Sequence, residues 1–181
     1  MTTLHTADGA ADAFHHDLRD LVVATPDGAD PMLDPAVAGI LRLVREHLQM
    51  DVVFIAEYLE ARNVFRSVQA APEFRAYEGQ SQPRADSFCQ RVLDGRLPAV
   101  IPDVAALRKT HDVPDSPLPI GAYMAAPVRL ADGTVYGTLC CFTFEARAEL
   151  GERDYKRLQM SARLTARLID EAHGRVTFPP A

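Results

Sequence analysis

The sequence predicts an α+β sandwich, a central and mostly antiparallel sheet of about five or six strands with long helices on one face and short helices and loops over the other. Three features predict it. In Ala122–Glu145, AYMAAPVRLADGTVYGTLCCFTFE, two runs of β-branched, aromatic and small apolar residues flank Asp132-Gly133, a dipeptide suited to the positive φ angles of a tight hairpin turn. The second run, Val135 to Phe144, is apolar at almost every position, so both of its faces should be covered. Long stretches with helical spacing of apolar residues stand before and after, while the segments between are short, capped or broken by proline.

In chain order, residues 1–33 read as a flexible leader carrying a short amphipathic helix from Ala13 to Ala24, with Phe14, Leu18, Leu21 and Val22 on one face. Asp34-Pro35 pairs a capping side chain with a first-turn proline and opens a helix to about Gln49, its apolar stripe Val37, Ile40, Leu41, Val44 and Leu48. Asp51 to Leu59 is the first strand, and Val64 to Ala71 pairs with it across a turn at Ala61-Arg62-Asn63. Pro72 to Ala85 has no period and is read as a loop over the sheet. Ser87 and Gln90 have capping-box spacing, which places a short helix over Phe88 to Asp94, stopped by Gly95. A short strand at Ala99 to Ile101 follows, then a helical turn capped by Asp103 and running through Arg108. His111 to Gly121 holds three prolines and cannot be regular.

In the central hairpin, Pro127 lacks an N–H and belongs at a bulge. Leu150 to Ala172 forms the closing helix, ended by Gly174, and residues 175–181 are a tail. One stripe of this helix, Tyr155, Leu158, Ala162, Thr165 and Ile169, can bury on the sheet. Leu164 and Leu168 lie beside it and, with the leading helix, are expected to form a homodimer interface.

Composition narrows the function classes. A chain of 181 residues with 48% hydrophobic content fits one domain with a real core, here residues 34–174. The leader lacks a basic segment and an apolar signal core, and no run is long enough to span a bilayer, which makes the cytoplasm the expected location. Three cysteines form no disulfide framework. A net charge of −6 without a clustered basic patch argues against a nucleic-acid surface. His15-His16 diverge on a helix and are expected on the surface; no metal site and no phosphate-binding glycine motif is indicated.

Ala125 to Leu164 resembles the C-terminal half of a GAF domain, with a small-Pro-apolar strand, a Gly-bearing turn, the strand motif Tyr136-Gly137-Thr138-Leu139 and an acidic helix. Asp86 to Val104, DSFCQRVLDGRLPAVIPDV, resembles the helix-strand connector of GAF domains in bacterial sensors, and the likeness extends from Pro35 to His173. It implies a module that binds a small molecule and signals through its terminal helices. The sequence holds no output domain, so the output is expected from a partner protein or from the dimer itself. Two alternatives stand beside it: a cysteine-dependent redox enzyme of the free methionine-sulfoxide reductase type, and a dimerisation module without ligand. Those reductases use several cysteines around the pocket, whereas here Cys89 alone lies in the helix-and-loop region and their Gly-rich, Cys-bearing connector is missing. Haem- and bilin-binding relatives need an axial His or an attachment Cys before the hairpin. Pro117-Leu118-Pro119 occupies that segment and His111 comes too early, so neither cofactor is indicated. The signature of cyclic-nucleotide-binding relatives is absent as well.

The pocket is expected on the loop-covered face, because short capped helices and proline-broken loops leave concavities. Tyr123, Ala125 and Pro127, at every second position of one strand, are candidates for one wall, Phe88, Cys89 and Val92 for a lid, and Asp103 for a carboxylate at the rim. Cys140 and Cys141 point to opposite faces, and Cys141 is assigned to the pocket. Cys89 lies in the first turn after Ser87, where unpaired N–H groups favour a thiolate, which makes it a candidate reactive thiol; the plain alternative is packing.

Overall fold

The computed structural model describes residues 33–174. It contains a six-stranded sheet in the order β3-β2-β1-β6-β5-β4, and every pairing is antiparallel. The strands are β1 (Val52–Leu59), β2 (Arg62–Gln69), β3 (Ser81–Pro83), β4 (Val100–Ile101), β5 (Ala122–Arg129) and β6 (Val135–Thr143). The helices are α1 (Leu33–Leu48), α2 (Phe88–Leu93), α3 (Val104–Leu107) and α4 (Glu152–Ala172), with a 3-10 segment at Pro72–Tyr77. The proposed leading helix and tail lie outside the described residues.

Alternation divides the core in two. On one face α1 and α4 cover Val53, Ile55, Met124, Ala126, Val128, Leu139 and Cys141. All five residues of the α1 stripe are buried there, as are Leu158, Ala162 and Ile169 of α4. Each valine, leucine or isoleucine among them contributes roughly 1.5–3 kcal/mol by leaving water. On the other face Val52, Phe54, Ala56, Tyr123, Ala125, Cys140 and Phe142 meet α2, α3 and the loops. β1 and β6 are the central strands, buried on both sides, which accounts for their near-continuous apolar composition.

Several boundaries depart from the sequence reading. α1 begins at Leu33, one residue ahead of the proposed cap, and Pro35 is accommodated because the first turn needs no N–H donors. The helix ends in a left-handed Gln49, with φ +53, and Met50 N donates back to Arg45 O at 3.0 Å. The β1–β2 turn is Glu60-Ala61, two residues instead of three and shifted toward the N-terminus, with Glu60 taking φ +51. The segment read as a loop contains both the 3-10 turn and the short edge strand β3. In the β5–β6 loop the left-handed conformation belongs to Gly133 alone, at φ +85. Leu130 N donates to Thr134 O at 2.9 Å and Gly133 N to Leu130 O at 2.9 Å, the three-residue loop in which a turn is followed by a left-handed glycine. The pairing slips by one residue between Val128 and Arg129, just past Pro127 where a bulge was expected.

Gly137 has a different reason to be glycine. A Cβ built there would lie 1.8 Å from the Ala56 carbonyl oxygen on β1, so the central strands come together only because no side chain stands between them. Arg147 Nη1, just beyond β6, donates to Leu48 O at 2.6 Å and Gln49 O at 3.1 Å, satisfying the last carbonyls of α1. Asp170 of α4 accepts from Ala131 N at 2.8 Å, tying the closing helix to the hairpin loop. Among the described residues no helix is long and apolar enough to cross a membrane.

Candidate functional site

A pocket of about 130 Å³ opens on the loop-covered face. Its floor is the sheet, through Val52, Phe54, Tyr123 and Phe142; its walls are Phe65 and Val68 of β2, Phe74 and Tyr77 of the 3-10 segment, Phe88 and Cys89 of α2, and Leu118 and Ile120 of the proline-rich loop. Gln82, Asp86, Ser87, Asp115 and Ser116 add polar groups. The aromatic residues brace one another. Phe54 meets Phe65 edge-on at 5.2 Å and Phe142 at 6.4 Å, and Phe88 lies tilted on Tyr123 at 5.0 Å. This wall is therefore held in place without a ligand.

The lid helix is positioned by a chain of polar contacts. Ser87 Oγ accepts from Gln90 N at 3.1 Å, the cap expected from the sequence. The reciprocal half of the capping box does not form: Gln90 Nε2 donates to Asp94 at 2.6 Å, and its oxygen accepts from Arg84 Nε. Asn63, fully buried on β2, donates to Ser87 Oγ at 2.8 Å and so ties the start of α2 to the sheet. Arg91 of α2 pairs with Asp112 at 2.5 Å, while Arg108 donates to Val113 O at 3.0 Å and Pro114 O at 2.6 Å. The proline-rich loop is thus tied to both short helices.

Where α2 meets the sheet, a buried sulfur cluster forms. Cys89 Sγ lies 3.2 Å from the Tyr123 hydroxyl and 3.3 Å from Cys140 Sγ. Hydrogen bonding from the Cys140 thiol, with help from the Thr138 and Tyr123 hydroxyls, outweighs burial and brings Cys89 down to about 7. Burial and the neighbouring Cys89 push Cys140 well above the ordinary thiol range. Burial likewise raises Tyr58 and Tyr123, with the same sulfurs adding to the effect. One thiol of the pair is thus set up to ionise and the other to donate.

Of the residues singled out from sequence, the structure brings Phe88, Cys89 and Tyr123 together in the pocket lining. Tyr123 and Ala125 lie on the predicted face. Ala125 is sealed beneath the surface, and Pro127 lies farther along β5 beyond the pocket. Val92 packs half-buried on the outer side of the same core. Asp103 does not reach the rim: its carboxylate is used to cap α3, accepting from Ala106 N at 2.9 Å. Cys141 is on the wrong face, buried under the long helices with its thiol pushed up by burial; Cys140 is the pocket-side cysteine. The reason is the slip after Val128, which pairs Tyr123 with Phe142 and Ala125 with Cys140. Without it Tyr123 would face Cys141. The sequence reading missed the aromatic contribution of Phe65, Phe74 and Tyr77, of which Phe65, a large aromatic residue within a predicted strand, carried the visible signal. Among the described residues no group of His, Cys, Asp or Glu side chains is arranged to hold a metal ion.

The fold has many relatives of known structure. The GAF domain of an Acinetobacter phosphoenolpyruvate-protein phosphotransferase matches with a TM-score of 0.64 at 14% identity, covering 99% of this chain and 100% of that one. A type II free methionine-R-sulfoxide reductase from Thermoplasma acidophilum matches with a TM-score of 0.61 at 17% identity, over 77% of this chain and 94% of the other. In sequence, a cyclic di-GMP phosphodiesterase of Pseudomonas aeruginosa is 34% identical over 96 residues, which is 50% of this chain. The chain spans only 16% of that relative's length. The GAF domain family model matches residues 33–169, and on that match and this fold the chain belongs to the GAF domain family.

Proposed function

We propose that the protein is a sensory GAF domain whose pocket takes a small, largely apolar molecule containing one ring, and whose occupancy is passed on through α1 and α4. The observation that carries this is the braced aromatic pocket of about 130 Å³, a size comparable with the engineered apolar cavity of about 150 Å³ known to accept benzene. A ligand there touches Phe88 on the lid and Phe142 on the central strand at once. Phe142 lies next to Cys141, whose side chain faces the long helices, so movement of β6 is felt by both layers. The half-buried Leu168 and the exposed Met160 and Leu164 of α4 offer a surface for a second copy or for a separate output protein.

The test is a thermal-shift series with benzene, toluene and phenol on purified protein, alongside native mass spectrometry of protein isolated from its own host. A ligand at about one hundred times its dissociation constant stabilises by about 2.7 kcal/mol, well within detection. The reading is upheld by a retained small molecule or by stabilisation that Phe88→Trp abolishes. Absence of both sinks it. Turnover of free methionine-R-sulfoxide by the purified protein would instead favour the enzymatic alternative, for which the specific observation is the Cys89 thiol in the pocket wall.

A further inference from the structure

We propose that Cys89 and Cys140 are a peroxide-oxidised pair that closes to a reversible disulfide at the base of the pocket, converting the domain between an open and a clamped form. The geometry supports it from several sides. The two sulfurs are 3.3 Å apart, whereas a disulfide needs about 2.0 Å, so a closing movement of about 1.3 Å suffices. Cys140 sits on β6, a central strand hydrogen-bonded along both edges. Cys89 sits on α2, a single short helix followed by the left-handed Gly95 and held to its surroundings through side-chain contacts, not a strand ladder, so closure calls for a shift of α2. Cys89 also lines the pocket, which gives a molecule the size of hydrogen peroxide a route to its sulfur. Cys141 faces the opposite side of the sheet and cannot take part.

The chemistry balances with a hydroperoxide as oxidant. The Cys89 thiolate attacks one peroxide oxygen and breaks the O–O bond; the departing hydroxide takes a proton and leaves as water. Cys89 is then a sulfenic acid, oxidised by two electrons. The Cys140 sulfur attacks the Cys89 sulfur, the S–S bond forms, the S–O bond breaks, and hydroxide leaves with the Cys140 proton as a second water. In total, two thiols and one hydrogen peroxide become a disulfide and two waters. The roles follow from the cluster: Cys89, stabilised as thiolate by its hydrogen-bonding neighbours, is the attacking sulfur, and Cys140, held protonated by burial, is the resolving one. Closing draws Phe88 with α2 toward the sheet and narrows the cavity that Phe88 and Cys89 both line. Oxidation uses the pocket as its entrance and needs no bound ligand, so it stands or falls separately from the ring-binding proposal.

The experiment treats the full chain carrying Cys141→Ala with a small excess of hydrogen peroxide, blocks free thiols with N-ethylmaleimide, and maps tryptic peptides without reduction. Residues 85–91 and 130–147 each carry one cysteine in that variant. The expected product joins these two peptides, lighter by two hydrogens, is restored by dithiothreitol, and forms at least tenfold faster in folded protein than in urea. Wild type, mapped with fragmentation of the 130–147 peptide, covers the case in which the variant does not fold. Three outcomes overturn the proposal: sulfinic acid on Cys89 with no cross-link, both thiols still alkylated after treatment and unfolding, or a cross-link that is intermolecular or equally fast in urea.

Discussion

Replacing Gly137 by alanine tests the closest approach in the sheet. The added methyl lies 1.8 Å from Ala56 O and 2.8 Å from Ala56 C, both backbone atoms that cannot swing aside. Gly137 is paired with Glu57 on β1 and with Val128 on β5, so the clash falls between the central strands. Relief requires those strands to part by more than an ångström, which gives up about two ladder hydrogen bonds at roughly 1 kcal/mol each and strains the packing on both faces. The expected loss is about 3 kcal/mol or more, at the upper end of single substitutions. Gly133→Ala is the matched control. It has open space around its Cβ but a φ of +85, so its cost is conformational, about 1 kcal/mol. Urea denaturation of the two variants beside wild type measures both. If Gly137→Ala proves no more destabilising than Gly133→Ala, the close approach of β1 and β6 is not what requires glycine at this position.

Gly133→Val should lower the denaturant midpoint by the equivalent of more than about 1 kcal/mol, because a β-branched side chain is poorly tolerated at a left-handed position; an unchanged midpoint contradicts the loop geometry. The pH dependence follows from the sulfur pair. Cys89, lowered to about 7 from an ordinary 9.0, adds stability that is complete above pH 9 and lost as pH falls through 7, whereas the raised Cys140 favours the fold below pH 9 and ceases to do so above it. Under reducing conditions stability should therefore climb by about 2 kcal/mol between pH 7 and 9 relative to Cys89→Ser, and a difference that stays flat across this window rules the assignment out. Ser87→Ala removes the cap of α2 together with its link to Asn63, and should cost about 1 kcal/mol and raise the rate of Cys89 alkylation; an unaltered rate means that the lid is held elsewhere. Leu164→Glu places a charge on the exposed part of α4 and should turn a sedimenting dimer into monomer, while wild type that is already monomeric at micromolar concentration removes the proposed interface.

Periodicity and end signals in the sequence were enough to determine the layers. The α1 stripe Val37 to Leu48, the near-continuous apolar run of β6 and the caps Ser87 and Asp103 are local patterns, decided within a turn of helix or a length of strand, and each appears in the structure where the chain placed it. The face on which a pocket would open was legible for the same reason, since short capped helices and a proline-broken loop cannot pack as closely as α1 and α4. What tertiary structure alone decided was the register and the partners. One slip after Val128 reverses which of two adjacent cysteines meets Tyr123, because strand side chains alternate with a period of two and a single extra residue exchanges the faces. Asp103 is spent on its own helix, Asn63 reaches across the fold to Ser87, and Cys89 meets a sulfur 51 positions away. Such contacts depend on how elements distant in sequence come together in space, and no local pattern encodes that distance.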